Sequence, residues 1–338
     1  MMNTPLVTII SPTFNHEAYI ADCIQSVLNQ SYTNWEMIIV DDGSTDNTLG
    51  IARSYAEHDQ RIRVYTQKNV GIFRLGETYN FAVSVSTGTY LAVLEGDDVW
   101  TESKLQVQVK AMESQPEAVL CWGRAFSSTF DLSSDYQLYP LEDKSRAVYE
   151  NRPLYSASRH LILSCFIPAL TVMVRRDALL KTGGFLQSHG LPLVDLPTWQ
   201  QLSLQGTFIY IPEVLGRWRI YPNQVTKTFA VQMVEGFYKL AIDFYKQGKS
   251  LGIFTEDDYH LIVTHYMKMH VISYSRSGRY KLIRKDFEGA RRDYKKSISG
   301  FGFHEPVWKL RSLVGIVFSY LKMDIEGLAK RLGRVSYK

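Results

Sequence analysis

Between residues 6 and 123 the chain alternates two hydrophobic periods, and no other feature narrows its fold so far. Short apolar runs, "LVTIIS" (6–11), "WEMIIV" (35–40), "IRVYT" (62–66), "YLAVLE" (90–95) and "AVLCWG" (118–123), read as strands. Between them Ile20, Cys23, Ile24, Val27 and Leu28 fall at helical spacing, and residues 47–58, 75–86 and 102–114 read as helices. Strands joined by helical crossovers pair in parallel, and their sheet is covered on both faces. Ligands bind to such a sheet outside the carboxyl ends of its strands.

Beyond this run the pattern weakens. Residues 124–165 are polar and Tyr-rich, without a clear period. Regular structure resumes at "LTVMVRR" (170–176), and a short helix ends at "TGGF" (182–185). A helix is expected over 197–205, and strands over 208–211 and 216–220. Helices are then expected at 229–247, 256–275, 279–297 and 306–332. These patterns divide the chain into an α/β domain, 1–222, and a helical region, 223–338.

With 45% hydrophobic and 21% charged residues, the 338-residue chain has the composition of a globular protein and not of a disordered one. Its three cysteines, Cys23, Cys121 and Cys165, are widely spaced and make no zinc or CxxC pattern, which fits a reducing compartment. The start, "MMNTPLVTIISPTF", has no basic segment or long apolar core, and no run nears the ~20 apolar residues of a membrane span. The expected location is therefore cytoplasmic. Charge is unevenly spread. Residues 276–338 hold 16 Lys/Arg and 6 Asp/Glu, a net +10, whereas residues 1–275 hold 22 and 28, a net −6. A basic end on a mildly acidic body points to an anionic surface as partner. It carries no nucleic-acid-binding motif, so nucleic acid is not expected.

The chemistry gathers at expected strand ends. In "LEGDDVW" (94–100), Glu95 and Asp97 lie two apart and face one way in an extended chain, with Gly96 open to close approach. Crowded carboxylates raise one another's pKa, and a hard divalent cation relieves the repulsion. The plainer alternative is a loop of solvated acids with Asp98 capping the helix near 102. Asp41 and Asp42 end the second strand; as ionised carboxylates they only accept hydrogen bonds, which suits base N–H and ribose hydroxyl groups. Alternatively, Asp42 and Ser44 cap the next helix. After the first strand, "SPTFN" (11–15) offers Phe14 as a flat face for a base, or as core. There is no GxGxxG and no Walker loop, so a diphosphate would need another partner, such as a cation at Asp97.

Taken together, "VTIISPTFNHEAYIADCIQSVLNQSYTNWEMIIVDDGSTDNT" (7–48), "NVG" (69–71), "NFAVSVSTGTYLAVLEGDDVW" (80–100) and "GGF" (183–185) resemble the inverting glycosyltransferases of family 2, with the GT-A fold, over about residues 5–222. The resemblance implies that Pro12, Thr13, Phe14, Asn15 and Asp42 hold the nucleoside, usually uridine, of a nucleotide sugar. Asn69 and Gly71 would approach the donor. Glu95 and Asp97 would stand as the DXD motif, Asp97 being the main ligand of Mg2+ or Mn2+, and Asp98 would touch the donor sugar or its phosphate. In "VDLPTW" (194–199), Asp195 takes the position of the catalytic base and Trp199 that of the family's Trp. Read from the residues alone, Asp195 is a helix N-cap with Pro197 in the first turn, and only the resemblance makes it a base.

Three positions depart from the family pattern: Glu95 where Asp is usual, Val194 in place of Glu, and Tyr221 where His is common. Arg217 and Arg219 offer charge for the diphosphate in place of that His, or are structural surface residues. The implied acceptor is a glycan or a lipid-linked oligosaccharide in surface polysaccharide synthesis. Residues 307–334 mix an apolar stripe (Leu313, Ile316, Val317, Tyr320, Leu321) with Lys309, Arg311, Lys322, Lys330, Arg331 and Arg334, a pattern suited to an anionic membrane surface or to a helix packed on the catalytic domain with its basic residues in water; the resemblance implies the inner face of the cytoplasmic membrane. The main alternative is a non-catalytic relative that binds nucleotide or glycan. A sugar nucleotidyltransferase is a weaker one, because "SPTFNHEAY" lacks a Gly-rich basic loop.

Overall fold

A computed structural model describes residues 4–141, 144–188, 190–221, 230–299 and 302–323. The chain divides into two compact units, Met1–Gln224 and Val225–Lys338.

In the first unit the strands are β1 (Val7–Thr13), β2 (Trp35–Asp41), β3 (Ile62–Thr66), β4 (Tyr90–Val93), β5 (Val99–Trp100), β6 (Ala118–Ser128), β7 (Asp135–Tyr139), β8 (Met173–Arg175) and β9 (Thr207–Arg219). They form one sheet in the order β3-β2-β1-β4-β8-β6-β9-β5, with β7 added on β6. The half from β3 to β4 is parallel, while β8 runs antiparallel to both β4 and β6. Helices α1 (Ile20–Leu28), α2 (Thr48–His58), α3 (Leu75–Ser84) and α4 (Lys104–Ser114) connect its strands. Short helices α5 (Arg146–Tyr149), α6 (Ser158–Leu161) and α7 (Arg176–Thr182) precede α8 (Asp195–Ser203).

Every residue of β1 and β4 is buried, which is why these strands read as unbroken apolar runs rather than alternating ones. Ile20, Cys23, Ile24 and Val27 of α1 join Ile9, Met37, Ala92 and Leu94 in one core. Each Ile, Val, Leu and Met among them contributes about 1.5–3 kcal/mol of burial energy.

Several elements differ from the sequence expectation, each for a physical reason. The two expected strands at 208–211 and 216–220 are one strand, β9. Its pairing with β6 passes from Ile211 to Val214, so exposed Pro212 and Glu213 bulge out while the strand continues. Strand β7 lies in the weak stretch; its residues are exposed or half-buried, so it shows no apolar period.

The second unit is helical: α9 (Ala230–Ser250), α10 (Glu256–Ile283), α11 (Phe287–Ile298) and α12 (Pro306–Tyr320). The break expected near 276–278 does not occur. Gly278 lies mid-helix because a Cβ there would stand 2.7 Å from the Tyr294 ring, so the glycine serves close packing and not a turn. Among the described residues no helix is long and apolar enough to cross a membrane.

Candidate active site

The carboxyl ends of β1, β2 and β4 are bolted together by their own backbones. Thr13 O accepts from Asp42 N at 2.9 Å, and Pro12 O accepts from Gly96 N at 3.1 Å. A Cβ at Gly96 would fall 2.5 Å from Thr13 Oγ1, so only glycine allows this approach. Phe14 follows at 43% exposure; it is not core, and its face is open to a ligand. Asn15 adopts a positive φ of 54°, and its Oδ1 accepts from Thr45 N at 2.8 Å, tying the β1 loop to the β2 loop.

Asp42 does not cap α2. Its Oδ1 accepts from Val70 N at 2.9 Å and Gln67 Nε2 at 2.8 Å, and its Oδ2 accepts from Gly71 N at 3.1 Å. Asn69 Nδ2 donates to Asp42 O at 2.8 Å. The structure therefore brings Asp42, Asn69 and Gly71 into one cluster. Gly71 has φ +78°, a conformation that suits glycine.

Beside them lie the acids of "EGDD". Tyr79 Oη of α3 donates to Glu95 Oε1 at 2.6 Å. Tyr221 Oη donates to Asp97 Oδ2 at 2.9 Å and stacks on Tyr19 with centroids 5.6 Å apart. Asp97 Oδ1 is buried without a partner. Asp98 does not cap α4; its Oδ1 accepts from Arg219 N at 3.2 Å. Burial, the Asp97 charge and that of Asp195 push Glu95 up to about 7, against the Tyr79 hydrogen bond. Burial and the Asp97 and Glu95 charges raise Asp98 well above the usual carboxylate range.

Asp195 opens α8 and does not act as its cap. Its Oδ1 is buried and unpartnered, while its Oδ2 accepts from Cys165 Sγ at 3.8 Å. Burial raises its pKa above the ordinary value, opposed by the nearby backbone N–H groups of Leu196 and Asp195. The fully buried Trp199 follows one turn later. The "GGF" turn lies between α3 and α8, and Leu186 N after it donates to Thr198 Oγ1 of α8 at 2.9 Å. Asn80 Nδ2 donates to Phe185 O and Asn80 Oδ1 accepts from Phe185 N, both at 2.8 Å, and Phe185 packs on Tyr79 with centroids 4.8 Å apart.

Tyr79 was not anticipated as a site residue, and the two arginines take other roles than the one expected. Tyr79 meets Glu95 only once α3 has packed on the sheet, and its spacing along the sequence gives no hint of this. Arg219, 1% exposed, is not aimed at solvent. Its Nη1 donates to Asp97 O at 2.6 Å, its Nε to Phe130 O at 2.8 Å, and its Nη2 pairs with Asp22 Oδ2 at 2.5 Å. Arg217 sits at the surface, 3.0 Å from Asp135. Neither arginine is free to serve as simple charge for a diphosphate. The buried orphan oxygen on Asp97, amid mutually repelling carboxylates, fits a hard cation. Among the described residues no group of three or more His, Cys, Asp or Glu is placed to hold a metal ion by itself.

A half-parallel sheet with acids gathered at its strand ends and a second acid at the head of a facing helix defines a GT-A glycosyltransferase. Residues 8–178 match the model of glycosyl transferase family 2, and the chain belongs to that family. A Bacillus subtilis protein, TuaG, named as a teichuronic acid biosynthesis glycosyltransferase, is 35% identical over 224 residues, covering 66% of this chain and 82% of that protein. Other curated relatives from that organism are matched over less than half of their own length. The mannosyltransferase PcManGT of Pyrobaculum calidifontis, solved with GDP-Man and Mn2+, shares the fold at TM-score 0.54 and 15% identity, covering 96% of this chain and 88% of that one. S. aureus TarS 1–349 with UDP-GlcNAc does so at TM-score 0.51 and 16% identity, covering 98% and 93%.

Proposed function

We propose that residues 1–222 catalyse inverting transfer of a sugar from a UDP-sugar to a glycan or lipid-linked acceptor in polysaccharide synthesis. The observation that carries this is a pair of buried, unpartnered carboxylate oxygens, Asp97 Oδ1 and Asp195 Oδ1, in one electrostatically coupled cluster. An orphaned buried acceptor is costly unless a ligand satisfies it. Asp195 accepts the proton of the acceptor hydroxyl as that oxygen bonds to the anomeric carbon, and the bond to the diphosphate breaks on the opposite face. Its raised pKa strengthens it as a base. Pro12, Thr13, Phe14, Asn15 and Asp42 hold the nucleoside, Asn69 and Gly71 border it, and Asp98 faces the donor sugar. Asp97, with Glu95 beside it, would hold Mg2+ or Mn2+, which supplies charge neutralisation for the leaving diphosphate. Tyr221, in place of a further ligand, fixes the Asp97 carboxylate through its second oxygen. The name of the relative TuaG supports the choice of pathway; the two solved neighbours hold different donors, GDP-Man and UDP-GlcNAc, so the choice of UDP rests on the family resemblance. The region 223–338, helical where it is described, associates with an anionic membrane through 307–334, at the inner face of the cytoplasmic membrane; residues 324–334, with Lys330, Arg331 and Arg334, lie outside the described residues.

The test is UDP release from a panel of UDP-sugars with Mn2+, in wild type and Asp195→Asn. The expected outcome is turnover that falls at least about 10²-fold in the variant while UDP binding is unchanged. UDP binding without turnover in wild type, across the panel and with glycan acceptors added, would favour the non-catalytic relative.

A further inference from the structure

Helix α12 is built inside out. Its buried face carries Ser312, Gly315 and Ser319, with Ile316 and Phe318 against the small cluster of Leu282, Ala290 and Tyr294. Ser312 Oγ donates to Ser297 Oγ at 3.0 Å, and the tight seating at Gly315 leaves no room for a Cβ beside the Tyr294 ring. Its outer face carries Val307, Leu310, Leu313, Val314, Val317 and Tyr320, each 45% exposed or more, and Phe303 just ahead of the helix is fully exposed. At 100° per residue these side chains share one arc that contains no charged residue. Of the apolar stripe expected from the sequence, only Ile316 turns inward.

A contiguous apolar face of this kind on a helix marks an interaction surface. Its borders name the partner. Arg311 and Lys322 flank one side, and Lys309, whose Nζ donates to Ile298 O at 3.0 Å and to Gly302 O, flanks the other, placed by the same helical periodicity. Arg311 lies over Trp308 at 4.8 Å and Arg291 over Tyr320 at 4.7 Å, so aromatic rings and cations meet where the apolar face ends. Aromatic and basic residues at such a boundary suit the headgroup level of a bilayer. Residues 276–338 hold a net +10, 16 Lys/Arg against 6 Asp/Glu, which anionic lipid attracts. A second copy of the chain fits less well: a two-fold pairing through this face would bring the same cations together, and α12 has no acid in its first turn to offset them.

We propose that the outer face of α12 is the docking surface for an anionic lipid bilayer, its apolar side chains entering the headgroup–acyl boundary. This rests on, and sharpens, the membrane reading above. The full chain is tested by co-sedimentation with vesicles of equimolar phosphatidylglycerol and phosphatidylcholine, and of phosphatidylcholine alone. Wild type is compared with Leu310→Glu/Val317→Glu and with a chain ending at Met323. Sedimentation equilibrium gives the oligomeric state of each, and melting with and without UDP reports the fold and the donor site. The expected result is binding to the anionic vesicles only, weakened by salt and reduced at least about tenfold in the double variant, with melting unchanged. Undiminished binding by the double variant, lost instead on removing 324–338, overturns the assignment of this face and leaves the membrane reading standing. A wild-type dimer that the double variant dissociates, without vesicle binding, overturns it in favour of self-association. A monomer that binds no vesicle overturns both.

Discussion

Replacing Arg219 with Met isolates what holds the acidic loop in place. The guanidinium is 1% exposed and donates to the carbonyls of Asp97 and Phe130, at 2.6 and 2.8 Å. Methionine keeps much of the volume and leaves both oxygens without these donors, at about 1–3 kcal/mol each. The lost pair with Asp22 adds little, because that carboxylate is 62% exposed and regains water. The total is about 4 kcal/mol, or a fall in melting temperature of about 8–16 °C for a unit of this size. Asp97 would also shift, so affinity for UDP with Mn2+ should drop in the same variant. Arg217→Met is the control: its pair with Asp135 is part-exposed, and the expected loss is under about 1 kcal/mol. Thermal melts with and without UDP and Mn2+ read both effects. An Arg219→Met protein that melts within about 2 °C of wild type and binds UDP equally well would refute the reasoning.

Lys104 is a second handle. It is fully buried, held by Gln108 at 2.5 Å and lying over the Trp100 ring at 3.9 Å, and burial lowers its pKa from 10.5 to about 7. The unfolded chain therefore binds more protons between about 7 and 10.5, and stability rises with pH across that window. Lys104→Met should flatten this rise and stabilise the protein by about 1–2 kcal/mol at pH 7, after the loss of one partner for Gln108; urea melts from pH 6 to 10 check it, and an unchanged slope contradicts it. Asn80→Ala removes both bonds to Phe185 and should cost about 2–3 kcal/mol. It should lower turnover through the position of Asp195 while leaving UDP affinity intact, which kinetics and calorimetry on the same preparation distinguish; weaker UDP binding would contradict this.

The parallel half of the sheet was legible because β1, β2 and β4 are buried on both faces, and such strands spell themselves out as apolar runs. Asp42, Glu95 and Asp97 drew attention because each follows such a run, where ligands bind, whereas Asp195 follows none and was singled out only by the family resemblance. Strand β7 was not, since a sheet edge with exposed side chains needs no apolar pattern. The bulge that makes β9 one strand was hidden by Pro212, which looks like an end from the sequence. The alternative of Asp42 as a cap could not be discarded from the sequence, because its true partners, Gln67, Val70 and Gly71, come from the loop after the next strand. Arg219 read as a charge for the ligand; it meets Asp22, nearly two hundred positions earlier, only in the folded chain. Pairings of that kind belong to the tertiary fold and leave no local signature.

The central claim is that the crowded acids after β4 form a metal-dependent site for a nucleoside diphosphate. Its most direct test is a thermal-shift titration of wild type and Asp97→Asn with UDP, GDP and CDP, each with and without Mn2+. A ligand that binds only the folded state stabilises it by about 2.7 kcal/mol at 100 times its Kd. A shift selective for UDP, dependent on Mn2+ and absent in Asp97→Asn is the predicted result. An equal shift in the variant, or one indifferent to metal, would contradict it.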